Sequence, residues 1–169
     1  MGAGRDERAW VRGAQRGSVS DLEALFRAHW PRAFRAAYLV VHDAAAAEDI
    51  AQESFLAALR ALDRFDRRRP FGPWLHRIVV NRAIDWTRAR QLRAETELGE
   101  THAAQPEAAP LDGTLLAAMG ALPPDQRAVI VLRHLLGYTP GEIARALDLP
   151  RGTVNSRLRR GLDSLKEQM

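Results

Sequence analysis

Apolar side chains spaced three and four residues apart constrain this chain more than any other feature. Leu22, Leu25, Phe26, Trp30, Phe34, Tyr38 and Val41 recur at those spacings behind Ser20. That pattern predicts a long helix with Ser20 as its N-cap, and Pro31 inside it predicts a kink or a restart. A second helix is expected over about Ala44 to Leu62, burying Ala51, Phe55, Ala58, Leu59 and Leu62 and turning Glu48, Asp49, Gln52 and Glu53 outward. A third runs from near Pro70 to about Arg90, with Phe71, Leu75, Ile78 and Val79 on its apolar side. The β-branched and Gly-rich runs typical of strands are missing, so the expected class is all-α.

Charge divides the chain into three. Residues 1–93 hold 17 arginines against 11 acids, residues 94–112 hold five acids and no Arg or Lys, and residues 113–169 hold eight basic residues against five acids. Two basic blocks around an acidic strip point to a polyanionic partner such as nucleic acid rather than to any particular fold. The strip "AETELGETHAAQPEAAPLD" has two prolines and few large side chains, so it reads as a linker, helical at its start and extended after Pro106. Two small helical domains follow, at about 5–92 and 113–169, joined by an acidic flexible linker over about 93–112. The chain has no cysteine, which excludes disulfides and cysteine zinc sites. No apolar run approaches the roughly 18 residues of a membrane span, and MGAGRDERAW is charged where a signal peptide would be apolar. A soluble cytoplasmic protein is expected.

The segment "DRFDRRRPFGPW" sets Arg64, Arg67, Arg68 and Arg69 among Phe65, Phe71 and Trp74. Guanidiniums neutralise phosphates and rings stack on exposed bases, so this composition suits single-stranded nucleic acid. The same residues would also make a solvated loop with its aromatics tucked into the core. Phe65 is the ring expected to be exposed, whereas Phe71 and Trp74 are expected inside. Arg77, Asn81, Asp85 and Arg88 add a polar stripe on the third helix, which is either a plain solvent face or the continuation of a DNA track.

In the C-terminal block, "LPPDQRAVIVLRHLLG" predicts a helix begun by proline and acid and closed by Gly137. Thr139 and Glu142 form a capping-box pattern with Pro140 at the first helical position. Pro150 precedes a final helix whose Val154, Leu158, Leu162 and Leu165 share one side and which carries five cations. This is a helix-turn-helix layout. Its N-terminal part, Arg151, Thr153, Asn155, Ser156 and Arg157, would meet base edges, and Arg159, Arg160 and Lys166 the phosphates. A cationic helix in a plain bundle would look similar.

Taken together, these segments resemble a small alternative sigma factor of bacterial RNA polymerase, of the extracytoplasmic-function (ECF) group. "AAEDIAQESFLAALR" resembles the region-two helix that binds the polymerase clamp. "RPFGPWLHRIVVNRAIDWTRAR" resembles the helix that melts and reads the promoter −10 element, and residues 122–166 resemble region four, which reads the −35 element. The resemblance implies a core polymerase docking face of Asp49, Ile50, Gln52, Glu53 and Leu56. It implies −10 contacts from Phe65, Arg67, Arg68, Trp74, Arg77, Asn81, Asp85 and Arg88, and −35 contacts from the final helix as above. Implied partners are core RNA polymerase through the clamp and flap regions of its large subunits, promoter DNA and an anti-sigma factor. No cofactor, metal, catalytic residue or small-molecule substrate is implied, since the polymerase does the chemistry.

Gly72 and Pro73 depart from the family pattern and are expected to delay the third helix. Asn155 stands where the family often has Lys. With Met169 so soon after the recognition helix, no further C-terminal regulatory domain is expected. Two other classes compete. A helix-turn-helix regulator acting without the polymerase would need no acidic–amide docking face, and an adaptor would lack the basic–aromatic loop.

Overall fold

The computed structural model describes residues 3–96 and 113–169, and no strand occurs among them. The chain is all-α, as its periodicity predicts. The first domain consists of α1 (Ala3–Gln15), α2 (Val19–Val41), α3 (Ala44–Ala61), a 3-10 turn over Leu62–Arg64 and α4 (Phe71–Thr96). The second consists of α5 (Gly113–Ala121), α6 (Pro124–Ile130) continuing into a π turn over Val131–Leu135, then α7 (Pro140–Leu147) and α8 (Arg151–Gln168).

Helix α2 is the hub of the first domain, packing against α1, α3 and α4. Ala33, Ala36, Ala37 and Val40 are fully buried along it, small enough to let its neighbours approach closely. Its cap is Ser18, whose hydroxyl accepts the Asp21 N–H at 3.3 Å, and not Ser20 as the sequence pattern predicts. Gly17 at φ +89° ends the preceding helix and delivers the chain directly to Ser18. The helix also runs unbroken through Pro31. The lost hydrogen bond costs about 3 kcal/mol, and burial of Leu25, Tyr38 and the alanines on both sides outweighs it.

Helix α4 begins at Phe71, so Gly72 and Pro73 do not delay it. Gly72 is buried against the His29 ring, where a Cβ would lie 3.0 Å from Cε1. The bare backbone therefore lets α4 start beside α2. His29 donates through Nε2 to the Glu7 carboxylate at 2.7 Å, and its ring is 6.1 Å from that of His76. Burial, with smaller contributions from His29 and Arg32, pushes His76 down to about 4, so it is neutral at physiological pH.

In the second domain, Ala128, Val129, Leu132, Ile143 and Val154 form the centre of the core. Gly161 of α8 lies on Ile130, whose Cδ1 would be 2.7 Å from an added Cβ, so α6 and α8 meet almost backbone to side chain. Gly137 at φ +76° closes the π turn. Thr139 and Glu142 form the predicted capping box, the Thr139 hydroxyl accepting the Glu142 N–H and the Glu142 carboxylate accepting the Thr139 N–H at 2.7 Å. The two domains also touch: α6 packs on α2 and α4, and α5 on α2. Of the acidic strip, residues 94–96 continue α4. The remainder, including the turn to extended chain expected after Pro106, lies outside the described residues.

Candidate nucleic-acid and polymerase interfaces

The outer face of α3 carries Asp49, Gln52, Glu53 and Leu56, all exposed. Asp43 fixes the start of this helix by accepting the Ala46 N–H at 2.9 Å, which sets the phase that turns those residues outward. Glu53 accepts from Arg82 of α4 at 3.2 Å, and Gln52 donates to Glu48 at 3.4 Å. Ile50 is turned the other way and is only 6% exposed, so it supports this face from beneath and does not form part of it. Leu56 is 51% exposed, and Phe26 of α2 is 40% exposed with its ring tilted against that of Phe55 at 4.9 Å. The surface is therefore acidic with an apolar component. Sequence periodicity placed Phe26 in the core; its exposure is visible only once α2 and α3 are packed.

The basic loop corrects one expectation. Phe65 is buried at 8% exposure, its ring 4.6 Å from that of Trp74 and 5.9 Å from that of Phe71. The side chain of Gln15 holds this turn by donating to the carbonyls of Leu62 at 2.9 Å and Phe65 at 3.2 Å. An aromatic ring following a tight turn over a vacant apolar corner folds inward, because exposure would forgo burial worth about 2–3 kcal/mol. Phe71 is buried as expected, and Trp74 is half-buried. Arg67 and Arg68 are exposed. Arg68 donates to Asp66 at 3.0 Å, and those hydrogen bonds hold the Asp66 carboxyl below its usual range.

Along α4, Arg77, Asp85 and Arg88 are exposed and Asn81 is half-buried. The stripe borders the second domain while its charged members stay exposed. Asn81 Nδ2 donates to the Ala146 carbonyl at 3.3 Å, Arg88 lies 3.9 Å from Asp125, and the Tyr138 hydroxyl donates to the Pro73 carbonyl. Burial, with the nearby Glu142 carboxylate, pushes the Tyr138 phenol up to about 12, so it stays a donor. Arg69, Trp74, Arg77, Tyr138 and Arg145 line a groove of about 500 Å³ between the domains.

On α8, Arg151, Asn155, Arg159, Arg160 and Lys166 are exposed, whereas Thr153, Ser156 and Arg157 are half-buried. Arg160 donates to the Ser156 hydroxyl at 2.7 Å. Arg157 is paired with Asp125 of α6 at 3.0 Å, which ties its guanidinium to the helix-turn-helix body. Sequence reading gave Asp125 only the part of an acid at a helix start. Among the described residues no group of His, Asp or Glu could hold a metal ion, and no helix is long and apolar enough to cross a membrane.

Comparison with known proteins agrees with this geometry. The family model for Sigma-70 region 2 matches residues 25–93, and that for Sigma-70, region 4 matches residues 112–165. The chain is 36% identical to the ECF RNA polymerase sigma factor SigW of Bacillus subtilis, over 80% of this chain and 82% of the relative. It is 34% identical to the ECF RNA polymerase sigma factor SigE of Mycolicibacterium smegmatis, covering 90% of this chain but only 63% of the relative. Among solved structures, CnrH in complex with the cytosolic domain of CnrY superposes with a TM-score of 0.65 at 27% identity, covering 96% of each chain. Both regions are present in order, and the likeness to SigW extends over most of that relative's length: the chain belongs to the extracytoplasmic-function group of RNA polymerase sigma factors.

Proposed function

We propose that this protein is an alternative sigma factor that binds core RNA polymerase and directs it to a particular set of promoters, and that its docking and reading residues are divided among three helices. Asp49, Gln52, Glu53 and Leu56 on α3 engage the polymerase clamp. Arg67, Arg68, Trp74, Arg77, Asn81, Asp85 and Arg88 on the loop and α4 hold the −10 element. Arg151, Thr153, Asn155, Ser156, Arg159, Arg160 and Lys166 on α8, with Arg157 once released, read the −35 element. The chain works in the cytoplasm, where its polymerase is, and supplies no catalytic group. CnrH was solved with the cytosolic domain of CnrY, and an anti-sigma protein is the corresponding partner here.

The observation that carries this reading is the exposed acidic–amide–apolar face of α3 beside a cationic helix-turn-helix on the same chain. A simple regulator has use for the second but not for the first. Run-off transcription with core polymerase on genomic fragments tests the activity. Asp49→Lys with Glu53→Lys tests the surface: the double variant is expected to lose co-purification with core polymerase while keeping its helical content. Glu53 and Arg82 form an exposed pair worth at most about 1 kcal/mol, so unfolding would not explain the loss. Unchanged co-purification would place the docking surface elsewhere.

A further inference from the structure

Arg127 of α6 belongs to neither the promoter-reading residues nor the docking face, yet it is only 8% exposed. Its guanidinium meets no hydrogen-bond acceptor and no carboxylate among the described residues, and its Nε is fully enclosed. Burial pushes the group down to about 10, so it is still charged at physiological pH. An enclosed cation without an anion destabilises a fold, because the water it gives up is not replaced. Arg127 lines a cavity of about 340 Å³, together with His42 at the end of α2, Trp86, Arg90 and Gln91 of α4, and Gly120 of α5. No described carboxylate lines it. We propose that this cavity binds a small phosphate ester, with the phosphate between Arg127 and Arg90 and the organic part against the Trp86 ring.

Each wall has a part to play. Trp86 and Arg90 are four residues apart and so share a face of α4. The Arg90 guanidinium lies 5.1 Å from the centre of the Trp86 ring and 3.6 Å from Asp43, which orients it. A guanidinium carries five N–H donors in a planar fork, so one already engaged still has donors for a phosphate. His42 ends α2 at φ 53°, and its ring packs so closely on α5 that a Cβ at Gly120 would lie 3.2 Å from Nδ1. Burial and then the Arg127 charge push His42 down to about 4, so its ring is neutral, and its Nε2 has no partner. A neutral imidazole nitrogen suits a hydroxyl of the ester better than the phosphate itself.

Size and position separate this site from the promoter-reading surfaces. Arg90 lies two residues beyond Arg88 and hence about 200° round the helix from it, away from the −10 stripe. A phosphate on a duplex is carried by a strand too bulky to reach a side chain enclosed as Arg127 is, whereas a small molecule can enter. The volume is at the lower end of the roughly 300–1,000 Å³ of ligand pockets, more than a bare ion fills. Two guanidiniums inside a partly enclosed, low-dielectric space attract an anion far more strongly than the same pair on the surface would.

Isothermal titration of the full chain in phosphate-free buffer, with AMP, inorganic phosphate and adenosine as probes, tests each element. AMP is expected to bind one to one, inorganic phosphate more weakly, and adenosine not measurably. Arg127→Met replaces the fork by an apolar chain and should weaken AMP about tenfold to hundredfold. Its melting midpoint without ligand should hold or rise, because the buried charge is gone. Arg127→Lys keeps the charge without the fork and should fall between. Arg60→Gln removes one charge at an exposed position on α3 and should leave AMP binding unchanged. Absence of saturable binding by both AMP and phosphate at millimolar concentration would overturn the proposal, as would equal AMP binding by Arg127→Met. Phosphate binding as tightly as AMP would make the bare ion the ligand and overturn the ester. A lowered midpoint for Arg127→Met without ligand would also overturn it, since the guanidinium would then have its anion within the chain, from the acidic strip.

Discussion

Truncating Phe65 separates a core ring from a base-reading ring. In the structure it is 8% exposed and makes two ring contacts, with Trp74 at 4.6 Å and Phe71 at 5.9 Å. Phe→Ala in a packed core costs about 3–5 kcal/mol. The ring sits just after a 3-10 turn, where the chain can partly collapse onto the vacated space, so the lower end, about 3 kcal/mol, is expected. Phe65→Leu keeps most of the apolar volume but no aromatic face, and should cost about 1 kcal/mol. Urea unfolding followed by tryptophan fluorescence is the suitable assay, because Trp10, Trp30, Trp74 and Trp86 all lie in the first domain. With a slope of about 1.5 kcal/mol per molar urea, Phe65→Ala should move the midpoint by about 2 M and Phe65→Leu by less than 1 M. Permanganate reactivity of unpaired thymines in polymerase complexes then reads function. The buried ring predicts that Phe65→Leu opens promoters almost normally. A Phe65→Ala protein of unchanged midpoint, with promoter opening lost equally in the Leu variant, would refute the argument and make the ring a reader.

Acid should loosen the first domain through His76. Its folded value of about 4 lies below the ordinary 6.5, so the unfolded chain takes up the proton first; stability is full above pH about 6.5 and falls as pH drops toward 4, by at most about 3 kcal/mol. Thermal midpoints measured from pH 7.5 to 5 should fall steeply for wild type and less for His76→Leu, and equal slopes would show that His76 is not responsible. Thr139→Ala removes the hydroxyl of the capping box and should lower helix-turn-helix stability by about 1 kcal/mol, seen as an earlier loss of helical signal on heating; an unchanged melt would mean that Pro140 alone sets the start of α7.

What the sequence disclosed and what it concealed differ in physical kind. Long helices were legible because burial of one face imposes a repeat on side chains; α3 ended within a residue of where the repeat placed it, whereas α4 runs past the expected end near Arg90 to Thr96. The cap of α2 was missed by two residues because Ser18 and Ser20 are chemically equal; the choice fell to Gly17, whose positive φ fixes where the preceding helix must stop. Helix α1 carried too little signal, since Val11 and Ala14 alone are buried among its described side chains. The fate of Phe65 could not be read at all. Arginines interleaved with rings look the same whether the rings face bases or a core, and Gln15, which holds that turn inward, lies 50 residues away from Phe65.

The contact between the domains leaves even less trace, for a reason that applies beyond this chain. Asn81 to Ala146 and Tyr138 to Pro73 are each separated by 65 residues, and each ends on a backbone carbonyl. Every residue carries that acceptor, so an alanine and a proline serve as partners without any side chain to betray them. Asp125 does contribute a side-chain charge to the seam, but beside Pro124 it reads simply as the acid of a helix start, a place where the helix dipole favours it in any case. A seam built from carbonyls and from a residue with a second, local justification is invisible to pattern reading, even though the residues it touches, Asn81 and Arg88 on one side and Arg157 on the other, were ones the pattern selected.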